Sequence, residues 1–267
     1  MTLCNTYKRL ALDTWDKIQQ GRRVHFQLKE ETLTDLNVLA LKARHNNQVF
    51  TKVFTKNAEG KNGADWEWWF KGLTNKWIGF RVQAKVINID SDEFEHLHYR
   101  SPKKGKYQCD KLITKALSAP QPLFPIYCLY IQTDDPQYLN KWSCRTFSHL
   151  KDFFGCSLTS AFTVKKLRPT NSKHLIDLQN KISPWHCLVC CSGYGKSDFV
   201  TNIQAFARAQ FELDNEAALE LDTKIPEDFS TDTPPQYVLS IIDNENNDNI
   251  ITTDRSLAGV LVFLEKE

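Results

Sequence analysis

Long apolar runs are missing from this 267-residue sequence. A membrane-spanning helix needs about 20 consecutive apolar residues; no stretch approaches that, so no membrane partner is expected. The opening Met1-Thr-Leu-Cys-Asn-Thr6 lacks the basic, apolar and small-residue order of a secretory signal, which points to a cytoplasmic protein. Neither sign of charge dominates. With 34 Lys and Arg against 32 Asp and Glu, the net charge is +2, so an acidic partner would have to be met by bases clustered on one face. No repeat of about 20–50 residues is found. The eight cysteines are too irregularly spaced for a disulfide framework, and reduced thiols are expected. Cys187-X-X-Cys190 has no second pair at zinc-finger distance.

What is present suits a folded α/β protein with a mixed central sheet flanked by helices. Hydrophobic residues make up 41% of the chain and aromatic residues 12%, seven of them Trp, enough for a sizeable core. The most informative stretch reads Asn62-Gly-Ala-Asp65-Trp-Glu67-Trp-Trp-Phe70, then turn formers at Gly72, Thr74 and Asn75, then Trp77-Ile-Gly-Phe-Arg81-Val-Gln83-Ala-Lys85-Val-Ile-Asn88. Aromatic and β-branched residues on either side of a turn predict a hairpin. Side chains alternate faces along a strand, so Asp65 shares a face with Glu67, and Gln83 with Lys85. Whether Asp65 meets Gln83 and Lys85 depends on register.

An acidic residue on one strand and a Gln-Ala-Lys tripeptide on the next resemble the PD-(D/E)XK, or restriction-endonuclease-like, nuclease superfamily in its Gln-X-Lys form. The run Gly63-Ala-Asp65-Trp-Glu-Trp-Trp69 also looks like that of a bacterial family associated with this core. The resemblance covers about the first half of the chain. It implies a nuclease core over residues 1–135 and a C-terminal elaboration over 136–267 packed on it as one compact domain. It further implies bound Mg²⁺ or Mn²⁺, a nucleic-acid substrate, DNA in the first place, and a place in bacterial defence; a homodimer is compatible with it. Gln83 replaces the acid of the majority pattern and offers the metal a neutral carbonyl.

The order of elements agrees with this resemblance. Apolar residues Leu10, Leu12, Trp15 and Ile18 predict a helix over 6–20. Glu30-Glu31-Thr-Leu-Thr34 opens a second, with Thr32 or Thr34 as cap and Leu33, Leu36, Leu39 and Leu41 as its apolar side. Gln48–Lys56 alternates as a strand, the hairpin follows, then a helix over 109–118 and a buried strand over 122–131. Further on, helices are expected over 139–154, 174–182 and 198–213, and strands over 185–191, 236–243 and 258–264.

Cutting a phosphodiester requires deprotonating water and stabilising charge on phosphorus and the leaving oxygen. Oxygen ligands for a hard cation would come from Asp65, Gln83 and, from the start of the second helix, Glu31, with Glu30 next. Lys85 would hold the water and the charged phosphate. The catalytic set is thus Glu31, Asp65, Gln83 and Lys85. Candidates to contact nucleic acid are Lys71 and Arg81, beside aromatic residues, and the lysines Lys103 and Lys104. Against this stands an ordinary amphipathic hairpin in which Asp65 and Lys85 are an exposed cross-strand pair. Another alternative keeps the nuclease fold but has weak or no activity, and binds nucleic acid or a partner protein. Gly195-Lys196-Ser197, after an apolar stretch, offers a phosphate-loop reading, but Cys190 stands where that motif has its first glycine.

Overall fold

The computed structural model describes residues 2–54, 65–102, 105–135, 138, 151–190, 198–244, 246, 250 and 257–266, Asp65 by its backbone alone. Helices α1 (Leu3–Arg23) and α2 (Glu30–Arg44) lead into strand β1 (Val49–Val53) and the hairpin β2 (Asp65–Lys71) and β3 (Trp77–Val86). Helix α3 (Gln108–Leu117) and strand β4 (Phe124–Tyr130) follow. The expected succession of helix, three strands, helix and strand is therefore present. Beyond it come β5 (Cys156–Ser160), α4 (Ala161–Leu167), α5 (Leu175–Leu178), β6 (Ser183–Pro184), α6 (Cys187–Cys190), α7 (Phe199–Gln210), α8 (Asn215–Leu219), β7 (Ser230–Thr231), α9 (Gln236–Asp243) and β8 (Leu257–Leu264).

The strands form one mixed eight-stranded sheet in the order β1-β8-β2-β3-β4-β5-β6, with β7 on β3. The last strand is inserted between the first two: β8 runs antiparallel to β1 and parallel to β2. Gly259 makes this possible. It stands beside Trp66 in the ladder, and a Cβ there would come within 2.6 Å of the indole and 2.8 Å of the Lys52 carbonyl.

The hairpin is buried on both faces, because its two sides carry apolar residues of opposite parity. Trp66, Trp68, Phe70, Phe80 and Val82 belong to the larger core with Tyr7, Leu10, Leu33 and Leu41 of α1 and α2. Trp69 and Trp77 join Val260 and Val262 of β8 and Val238 and Ile241 of α9 in a second core. An exposed amphipathic hairpin is thereby excluded. At its turn the Gly72 N–H donates to the Lys76 carbonyl at 2.9 Å, and Asn75 takes a left-handed φ of 62°, which Asn tolerates. Asp198 ties this turn to α7, accepting from Thr74 N at 3.2 Å and capping Val200 N at 3.1 Å.

Several local expectations are corrected. The cap of α2 is Lys29, so the helix begins before Thr32. Its buried side is Leu33, Asn37, Val38 and Leu41, while Leu36 and Leu39 are exposed; at about 100° per residue, positions 33, 37 and 41 share a face and 36 and 39 do not. The segment 236–243 is a helix after Pro235 and not a strand, since a short apolar run has no decisive period. Of 185–191, residues 187–190 are helical, and the helix expected over 174–182 shrinks to Leu175–Leu178. Expected helix residues 139–150 and the Gly195-Lys196-Ser197 motif lie outside the described residues. The expectation of reduced thiols fails at one pair: Cys4 and Cys190 are joined in a disulfide across 186 positions, whereas Cys109, Cys128 and Cys156 are buried free thiols. Among the described residues no helix is long and apolar enough to cross a membrane.

Candidate functional site

Strand β3 carries Arg81, Gln83 and Lys85 on one side, and the three meet different fates. Arg81 is 2% exposed and its Nη1 lies 2.8 Å from Glu67 Oε1. The other Glu67 oxygen accepts from Trp69 Nε1 at 3.0 Å and from the Tyr237 hydroxyl. Burial and the Glu67 charge push the Tyr237 phenol far up, so it remains a donor. Arg81 is thus enclosed in the second core, and the expectation that it contacts nucleic acid is overturned.

Two residues on, Gln83 is also buried. Its Oε1 accepts from Gln108 Nε2 at 2.8 Å, and its Nε2 donates to the Ala84 carbonyl at 3.2 Å. Gln108 opens α3. Lys85 follows, its side chain 6% exposed and its Nζ 3.5 Å from Glu30 Oε2. Glu30 is the first residue of α2. Its carboxyl is raised above the ordinary glutamate value by burial, an effect that the Lys85 ammonium partly offsets.

Glu30 therefore faces Lys85, whereas Glu31 is the glutamate expected first to reach a metal. One helical step rotates a side chain by about 100°, and Glu31 is exposed. Both glutamates nevertheless line two neighbouring cavities. The larger, about 410 Å³, is bordered by Lys85, Gln108, Gln27, Asn88, His96 and Tyr99 among others. The smaller, about 220 Å³, is bordered by Gln83, Thr34, Phe54 and Trp66. So Glu31, Gln83 and Lys85 belong to one region, with the acids of α2 at the boundary.

Asp65 opens β2 one residue before Trp66, which pairs with Val82 at the end of the β2–β3 ladder, and a register shift in the β2–β8 pairing falls between Asp65 and Trp66. The Asp65 side chain lies outside the described residues, as do Lys103 and Lys104. Lys71 stands at the other end of β2, six residues and about 20 Å away at the rise of an extended strand, with its Nζ 5.6 Å from the Trp77 ring centre. It is remote from this region. Among the described residues no group of three or more His, Cys, Asp or Glu is disposed to hold a metal ion.

A family model matches the chain over residues 3–267. The chain belongs to DUF6615, a family of unknown function. No curated protein and no solved structure gives a significant match. For this DUF6615 chain, then, function has to be argued from its own residues. Gln108 and the cavity residues from 88 to 99 escaped the sequence reading because no spacing links them to the hairpin; Gln108 fell one residue before the helix expected from Cys109. The Glu30-Glu31 pair was visible, but only the helix phase separates the two.

Proposed function

We propose that this DUF6615 chain is a metal-dependent nuclease of the PD-(D/E)XK kind, hydrolysing phosphodiester bonds with DNA as the first substrate to test. One observation carries the reading: a lysine buried at the end of a central strand, 3.5 Å from a half-buried carboxylate, two positions after a glutamine. A buried ammonium is costly unless paired, and here its pair faces a cavity. A structural lysine gains nothing from that placement, whereas one that must meet a phosphate does.

The donor set suits a hard cation. Glu30, Glu31, Gln83 and the Ala84 carbonyl supply oxygens, and Asp65, the first residue of β2, is the further carboxylate of the proposed set. The amide end of Gln83 lies 3.2 Å from the Ala84 carbonyl, close to the roughly 3 Å between neighbouring oxygens around Mg²⁺ with bonds of about 2.1 Å; turning the amide presents its oxygen there. Mg²⁺ or Mn²⁺, when bound, would neutralise developing charge and lower the pKa of water. Lys85 donates to a phosphate oxygen, and the partly desolvated Glu30 carboxylate holds it charged and aimed. The setting that goes with this reading is cytoplasmic, in bacterial defence, and homodimerisation belongs with it as a further proposal.

A second reading, an inert nuclease-fold binder, is favoured by one fact: the Gln83 amide is engaged by Gln108 and Ala84, and Lys85 by Glu30. Incubating the protein with plasmid, single-stranded DNA and RNA, with Mg²⁺ or Mn²⁺, separates the two. Cleavage lost in Lys85→Ala and Asp65→Ala, and raised in Gln83→Glu, is the expected result. Activity persisting in both alanine variants would move the chemistry elsewhere, and binding without cleavage in any metal would favour the inert binder.

A further inference from the structure

The 410 Å³ cavity beside Lys85 constrains what can reach it. Lys85 and Gln83 are almost wholly buried, so a phosphate on the outside of an intact duplex cannot come within hydrogen-bond distance of Nζ; the strand must enter the cavity. Its volume lies in the range of about 300–1,000 Å³ that small-molecule-sized ligands fill, which admits one nucleotide and not a base pair with its neighbours. Enzymes that act on a group hidden in this way take single-stranded substrate or pull a nucleotide out of the stack.

The cavity lining also carries the carboxylates of Glu30, Glu31 and Glu95, and it is the Gln27–Lys29 side of its rim that has matching features. Between α1 and α2 the chain reads Arg23-Val-His-Phe26-Gln-Leu-Lys29, without an acid, and Gln27, Leu28 and Lys29 border the cavity. Phe26, one residue outside it, is 62% exposed. That exposure is built in. The Phe26 N–H donates to the Gly21 carbonyl at 2.8 Å, His25 adopts a left-handed φ of 53°, and a Cβ on Gly21 would lie 2.5 Å from the Phe26 carbonyl. Gln27 Nε2 donates to the Ile87 carbonyl at 3.2 Å and its Oε1 accepts from Ile89 N at 3.0 Å, fixing the turn to the segment that leaves β3. A rigidly presented ring among bases, next to a nucleotide-sized cavity, matches the way single strands are held: bases stack on aromatic faces while cations follow the backbone.

We infer that this face takes an unpaired nucleic-acid strand, with one nucleotide in the cavity, its phosphate at Lys85, and a neighbouring base on Phe26. The inference rests on the nuclease reading for the role of Lys85 and names the substrate form. Fluorescence anisotropy with short labelled single-stranded DNA, single-stranded RNA and blunt duplex in EDTA tests it, beside cleavage of the same oligonucleotides in Mg²⁺ and Mn²⁺. Single strand of either sugar should bind at least about tenfold more tightly than duplex, and Phe26→Ala should weaken that binding at least about fivefold, as loss of one stacked base does, with no change in melting temperature. Lys29→Ala should reduce the salt dependence of binding. Duplex bound as tightly as single strand, or single-strand binding indifferent to Phe26→Ala, overturns the inference, even if cleavage is observed. Phe26-dependent single-strand binding without cleavage in either metal supports it while removing the nuclease reading.

Discussion

Glu67 and Arg81 face each other across the β2–β3 ladder, 2.8 Å apart, with Trp69 and Tyr237 completing the carboxylate's hydrogen bonds. Removing one member of such a pair leaves a charge in a medium that cannot solvate it. Arg81→Met is therefore expected to lower unfolding free energy by about 3–5 kcal/mol, measured by urea denaturation. The double variant Glu67→Leu with Arg81→Met should recover much of the loss. Equal destabilisation in single and double variants would show that packing, not charge, is what matters there.

The Lys85–Glu30 pair predicts a pH dependence. Burial raises the Glu30 carboxyl and Lys85 opposes that rise. The folded protein thus binds this proton more tightly than the unfolded chain does. Its contribution to stability is greatest at low pH, declines as pH rises from the ordinary glutamate range to the folded value, and is constant above it. Lys85→Met should move the Glu30 titration further upward, as read from carboxyl ¹³C shifts. A downward move would contradict the Lys85 ammonium as the charge that offsets burial.

Reduction of the Cys4–Cys190 disulfide, or Cys4→Ser, should cost about 2–4 kcal/mol, the usual contribution of a native cross-link. Thiol alkylation with and without reductant, read by intact mass, reports whether the bond forms. A Cys4 peptide alkylated without reductant would contradict it.

Gly259→Ala tests the placement of the last strand. A methyl group there would meet the Trp66 ring and the Lys52 carbonyl, so overpacking should cost about 1–3 kcal/mol. An unchanged melting temperature would mean that β8 does not lie between β1 and β2 at this register.

Much of the fold was legible because the period of the apolar residues was decisive. Aromatic and β-branched residues on either side of the turn formers at 72–75 mark the hairpin, and the repeat at Leu10 and Ile18 marks α1. Where a run was short and uniformly apolar, as in 236–243, strand and helix were indistinguishable until Val238 and Ile241 were seen packed under β8. The place of β8 had no local signal at all, since it depends on Gly259 leaving room for an indole 193 positions earlier. In the site, Gln83 and Lys85 followed from strand alternation. Only the helix phase shows that Glu30 rather than Glu31 meets Lys85, and the loss of Arg81 from the surface depends on Tyr237 and the second core. Cys4 and Cys190 are joined only by the tertiary fold, which spacing does not encode.

The insertion of β8 between β1 and β2 also bears on how the protein is made. Until residues 257–264 leave the ribosome, β1 and β2 each present an unpaired edge, and the hairpin that carries Gln83 and Lys85 lacks one neighbour. Such edges recruit other chains. A nascent molecule therefore lacks this strand until residues 257–264 have been made, and until then the hairpin that carries Lys85 waits for its second neighbour.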